Sequence, residues 1–129
     1  MPFWGLVITS IGFLIPSFIA KKQNKDLTSK SFKCITITSV IYHSTQHSLS
    51  LFIDKIVVHS VSAFHLGRAL YISIRDKSIK KLAYASSSLL PMYIYFKKSL
   101  PSTGIVSKLW HMAFHITGHC CLSIYAIFF

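Results

Sequence analysis

Apolar positions fall into five runs divided by short polar stretches, most of them basic, and each run has about the length of one helix. The pattern predicts helices over 3–20, 32–47, 51–74, 79–96 and 105–129, within a single domain spanning 1–129. A bilayer core takes about twenty apolar residues per crossing. The first run carries no charge from Phe3 to Ala20. Its lysines follow the apolar stretch instead of preceding it, so it reads as a retained helix and not a secretory leader. Thr and Ser within the second run suit a membrane helix because their hydroxyls can bond to backbone carbonyls or to neighbouring helices. Pro91 predicts a kink in the fourth helix. The expected fold is therefore an all-α, polytopic transmembrane helical bundle of about five helices.

Composition supports that expectation. Of the 129 residues, 52% are hydrophobic and 13% charged, with a mean hydropathy of +0.52. That leaves too little polar surface to cover a small water-soluble domain. The net charge of +11 comes from 14 Lys and Arg against three Asp and no Glu. Nine of the 14 basic residues sit between apolar runs in 21–33 and 75–81, with Lys97, Lys98 and Lys108 falling on the opposite side, and they do not line one polar face, which fits cytosolic turns and argues against nucleic-acid binding. This orientation puts the amino terminus outside and the carboxyl terminus inside, with membrane lipids as the surroundings. The chain reads as a multi-pass integral membrane protein whose organelle the residues do not specify. Cys34, Cys120 and Cys121 have no zinc-like spacing and read as small buried hydrophobes. No phosphate-binding loop, HExxH, GxSxG or dinucleotide fingerprint occurs.

The candidate chemistry lies in the polar residues inside the apolar runs. Ser39 and His43 are one helical turn apart, and His111, His115 and His119 share nearly one face. Asp54 opens the third helix and is the only acidic residue with apolar sequence on both sides, a costly placement in lipid that points to function or pairing. The alternation of helices brings His43, Asp54 and His111 to one side of the bilayer. Neutral imidazoles favour Zn2+, two can come from an i,i+4 pair, and a third leaves a position for water. Asp54 could then take the proton from a water activated there, and Ser39 could orient that water or support the developing oxyanion. The plainer reading has each His bonded to a backbone carbonyl or hydroxyl and Asp54 paired with Lys55 or Lys108. His47, His59, His65 and His119 read as structural or helix-end residues, and His59, five positions after Asp54, is expected on a different face.

Ser39-Val-Ile-Tyr-His43, Asp54 eleven residues later, and Trp110-His111-Met-Ala-Phe-His115 in the last helix resemble a known pattern. It is that of the superfamily of alkaline ceramidases, adiponectin/progestin-type receptors, haemolysin III-like proteins and related lipid hydrolases. The resemblance implies His43, His111 and His115 as zinc ligands, Asp54 and Ser39 as catalytic residues beside them, and a seven-helix membrane fold. Five helices would make this chain a shortened relative. Aligning the Trp-His of many ceramidase-like members with Trp110-His111 puts Ser107 where their first late His stands, and His115 is then a shifted ligand or none. The family's early acidic residue has no counterpart.

The expected function is a zinc-dependent intramembrane lipid hydrolase, an amidase or esterase acting on ceramide-like or other acyl lipids. The alternatives are a non-catalytic lipid-binding or receptor-like protein on the same scaffold, and a small metal or proton transporter. Five short helices enclose little volume, which leaves room for a second copy of the chain or a membrane partner subunit.

Overall fold

A computed structural model describes residues 2–129, which form helices joined by short turns with no strand among the described residues. In chain order the helices are α1 (Trp4–Ile11), α2 (Leu14–Lys22), α3 (Asp26–Thr45), α4 (Ser48–Arg75), α5 (Ile79–Ala85), α6 (Leu89–Tyr93) and α7 (Gly104–Phe128). A 3₁₀ turn at Ser86–Ser88 and a π-helical segment at Ile94–Ser99 flank α6. These pieces make five rods, because α1 and α2 run on as Trp4–Lys22 and residues 79–99 form one irregular rod. Two helices, Trp4–Lys22 and Ser48–Arg75, are long and apolar enough to cross a membrane.

Both irregular rods break at the same offset from a proline. An α-helical residue donates its N–H to the carbonyl four positions back, and proline has no N–H to give. Pro16 leaves Gly12 without that donor, and the chain tightens there, with Ile15 N–H to Gly12 O at 3.0 Å and Phe13 N–H to Ser10 O at 3.2 Å. Pro91 likewise leaves Ser87, which lies within the 3₁₀ turn. The slack is taken up beyond α6 by π winding, where Leu100 N–H reaches Tyr95 O at 2.9 Å.

Three expected boundaries move by three residues or more, the third helix beginning at Ser48 and not at 51. The second helix begins at Asp26, not at 32, so the basic loop shrinks to a turn at 23–25. Hydropathy misses these first turns because their buried face is made of hydroxyls. Ser17 Oγ donates to Ser29 O at 2.9 Å, Arg68 Nη1 donates to Thr28 Oγ1 at 3.4 Å, and Ser31 Oγ meets His65 Nε2 at 2.9 Å. The fourth rod runs on to Ser99 through the π segment instead of stopping at 96.

Turns between helices are tight, with Asn24, Gln46 and Lys77 in the left-handed region at φ of 57°, 55° and 49°. His47 caps α4 by accepting Leu49 N–H at 3.2 Å, and Ser78 caps α5 by accepting Lys81 N–H at 3.2 Å. Lys25 Nζ donates to Ala126 O at 2.6 Å, meeting the open carbonyls at the end of α7.

The α1–α2 rod packs between α3 and α7. Helix α4 packs on the far side of α3 and against α5, while α6 and the π segment lie on α7. A cleft is left between α4 on one side and α6, the π segment and α7 on the other. Large apolar side chains such as Trp4, Phe18, Ile37, Phe52, Phe64 and Ile74 point outward, while Ser10, Ser17, Ser39, His43, Asp54 and His115 are buried. Cys121 is buried, but Cys34 and Cys120 are exposed, which corrects the expectation that all three fill interior space.

Candidate metal centre

Helix α3 is held against α4 by a two-residue turn, so Ser39 and Thr38, on the later turns of one, meet Asp54, two turns into the other. Helix α7 supplies His111 and His115 from one face. The three imidazoles meet: ring centroids are 5.2 Å apart for His43–His111 and His43–His115, and 4.8 Å for His111–His115. One nitrogen from each ring lies within 4.8 Å of those of the other two. His43 and His115 are each only 2% exposed.

A metal fits this donor set on an observation independent of any motif. Among the described residues neither ring nitrogen of His43 has a hydrogen-bond partner, and both are buried. Leaving a buried polar atom unpaired costs about 1–3 kcal/mol. A cation shared with His111 and His115 would satisfy one of these nitrogens. Nitrogens around tetrahedral zinc stand about 3.3 Å apart, as bonds of about 2.0–2.1 Å require, so the rings would close slightly by side-chain rotation.

The other two ligand candidates are already held from behind. His115 Nδ1 lies 2.9 Å from Thr9 Oγ1 on α1, and His111 Nδ1 lies 3.3 Å from Ser99 Oγ in the π segment. In each ring this leaves Nε2 as the nitrogen available to a ligand bond. Sequence reasoning found neither hydroxyl. Ser99 was hidden in an expected turn, and Thr9 in a run read only for its apolarity.

Asp54 is buried and makes no ion pair among the described residues. Its Oδ1 accepts from Ser39 Oγ at 2.6 Å and from Thr38 Oγ1 at 2.9 Å. Lys108, an expected partner, instead sits over the Phe3 ring at 5.1 Å. The single proton of Ser39 is directed at the carboxylate, so in this geometry Ser39 orients Asp54. Thr38 was missed, since a helical threonine ordinarily bonds back to its own backbone, and Cys34 O lies within 3.1 Å of its hydroxyl.

Asp54, Ser39, His111 and His115 line one cavity of about 210 Å³. His43 is outside that lining and sits against the other two rings. His59 lines the same cavity as Asp54, which corrects the expectation that it points elsewhere, although it does not join the imidazole trio. An apolar cavity of about 260 Å³ adjoins the first, with Phe13, Val58, His59, Tyr95 and Phe114 in the walls of both. His65 is bonded to Ser31, His47 caps α4, and His119 packs edge-on against Phe13 at 4.3 Å. No family model, curated protein or solved structure matches the chain.

Proposed function

We propose that this chain is a multi-pass membrane protein that holds zinc between His43, His111 and His115 and hydrolyses the amide or ester bond of acyl lipids, ceramide-like lipids among them. The observation that carries this reading is the buried His43 ring, unpartnered at both nitrogens and facing two imidazoles whose own Nδ1 atoms are occupied. The outward apolar side chains and inward hydroxyls support a bilayer setting, in which helices associate through polar and small residues. Zinc bound here would polarise an acyl carbonyl and acidify water.

The chain's own groups divide the remaining work. Ser39 and Thr38 both donate to Asp54 Oδ1, which fixes the carboxylate plane and leaves Oδ2 with its lone pairs to take a proton. The apolar cavity can seat an acyl chain while the polar one receives its carbonyl end, and the shared wall of Phe13, Tyr95 and Phe114 keeps water from the chain. The likeness to ceramidase-type hydrolases in Ser39, His43, Asp54, His111 and His115 points to the same chemistry.

Purified protein in nanodiscs tests this. One equivalent of zinc, lost in His43→Ala, together with hydrolysis of a ceramide and acyl-lipid panel, lost in Asp54→Asn, is the expected result. Zinc retained without hydrolysis across the panel would replace the enzyme with a lipid-binding protein, and metal-independent proton-coupled uptake would replace it with a transporter.

A further inference from the structure

Thr9 belongs to the first helix, far in sequence from every candidate ligand, yet its hydroxyl is the group nearest the back of His115. Its oxygen lies 3.0 Å from Gly5 O, 3.1 Å from Leu6 O and 2.9 Å from His115 Nδ1. A hydroxyl has one proton, and a carbonyl can only accept. Turning that proton to either of the two carbonyls within reach leaves Thr9 Oγ1 to meet the ring as an acceptor, with the hydrogen on His115 Nδ1. A neutral imidazole protonated at Nδ1 keeps its lone pair on Nε2, the form a metal requires.

The approach of α1 that makes this contact is built into the sequence. Gly5, Thr9 and Gly12 recur at helical spacing on one face, opposite Met112, His115 and His119. A Cβ at Gly5 would lie 2.8 Å from Met112 Sδ, and one at Gly12 would lie 2.1 Å from His119 Cε1. The two glycines therefore let the rods close on either side of Thr9. Ser99 differs: its hydroxyl meets His111 Nδ1 at 3.3 Å and donates to no carbonyl among the described residues, so either atom can be the donor there.

We infer that Thr9 is a positioning residue of the metal centre, which fixes His115 as the Nδ1–H tautomer and thereby presets its Nε2 as a ligand before any ion arrives. The assignment rests on the metal reading above for its purpose, but not for its observable. It makes the first helix part of the centre, with His115 the preset ligand and His111 the adaptable one.

The test compares wild type, Thr9→Val, which keeps the shape and removes the hydroxyl, and Thr9→Ser, which restores the acceptor. Long-range ¹H–¹⁵N correlation on metal-free protein in nanodiscs should find His115 protonated at Nδ1 in wild type and Thr9→Ser, and moved toward Nε2–H in Thr9→Val. Zinc affinity, measured by competition with a chromogenic chelator, should fall about 10- to 100-fold in Thr9→Val and recover in Thr9→Ser. A folded Thr9→Val protein with the wild-type tautomer and affinity would overturn the assignment. If wild type takes up no zinc, the metal reading fails, while the tautomer in metal-free protein still decides the role of Thr9.

Discussion

Among the described residues Asp54 receives two hydroxyl donors on one carboxylate oxygen and none on the other, an asymmetry that suits a group held for proton transfer. Replacing it with Asn preserves size and most of the packing but removes the base. If the proposed hydrolase reading holds, Asp54→Asn should keep zinc, read by elemental analysis, while kcat falls about 100- to 10,000-fold. His43→Ala should do the reverse in order of cause, with metal lost first and turnover lost with it. At this scale the sequence is most legible where a residue type is scarce. An acidic residue between apolar runs and histidines one turn apart stand out by letter and spacing. Thr9, Thr38 and Ser99 do not, because Ser and Thr are abundant along the chain and only packing distinguishes the hydroxyls that face the centre from those that bond back to their own helix.

Among the elements, the first rod shows how hydropathy locates a helix without revealing what its face does. The uncharged run from Phe3 to Ala20 is visible as a helix, whereas its Gly5–Thr9–Gly12 face acquires meaning only against α7. Gly12→Ala would press a methyl group into the His119 ring, and overpacking of this kind costs about 1–3 kcal/mol. Thermal unfolding in detergent should show a lowered midpoint, with Gly67→Ala, where nothing approaches the new methyl, as the control.

The junction of α4 and α5 offers a pH test. Arg75 first, and Lys81 with it, hold the Asp76 carboxyl down at about 2, below its ordinary 3.8. A depressed carboxyl stabilises the fold above its unfolded value and loses that contribution as pH falls through the folded one. Asp76 should therefore contribute steadily from neutrality to pH 4 and progressively less toward pH 2. Comparing acid unfolding of wild type with Asp76→Asn should show the difference between them shrinking across that interval. The start of α3 was not legible because its buried positions are Thr28 and Ser29, which carry no apolar signal.

For the molecule as a whole, the number of rods and their approximate limits follow from the runs, while the arrangement around a cleft does not. Helix α4 meets α3 and α5 but leaves a gap toward α6 and α7, and no periodicity announces a contact that is missing. If the rods cross a bilayer in alternation, the turns at Asn24 and Lys77 share one side and those at Gln46 and Ser102 share the other. Single cysteines at these positions, with Cys34, Cys120 and Cys121 changed to Ala, should label with an impermeant maleimide from opposite faces of sealed vesicles. If zinc is held as proposed, chelation should also destabilise the whole fold, since a ligand present at a thousand times its Kd contributes about 4 kcal/mol.

Because the turn at Gln46–His47 is so short, Ser39 and Asp54 come together as soon as one hairpin forms, whereas His111 and His115 on α7 are translated some sixty residues later. On the proposed metal reading, a growing polypeptide has only one of the three ligands, His43, until that final rod docks. Ion capture would thus act as a checkpoint in biogenesis, clasping early and late segments together and marking chains whose assembly is complete. Cells starved of the metal should accumulate loosely joined, protease-sensitive protein even where synthesis and insertion proceed normally.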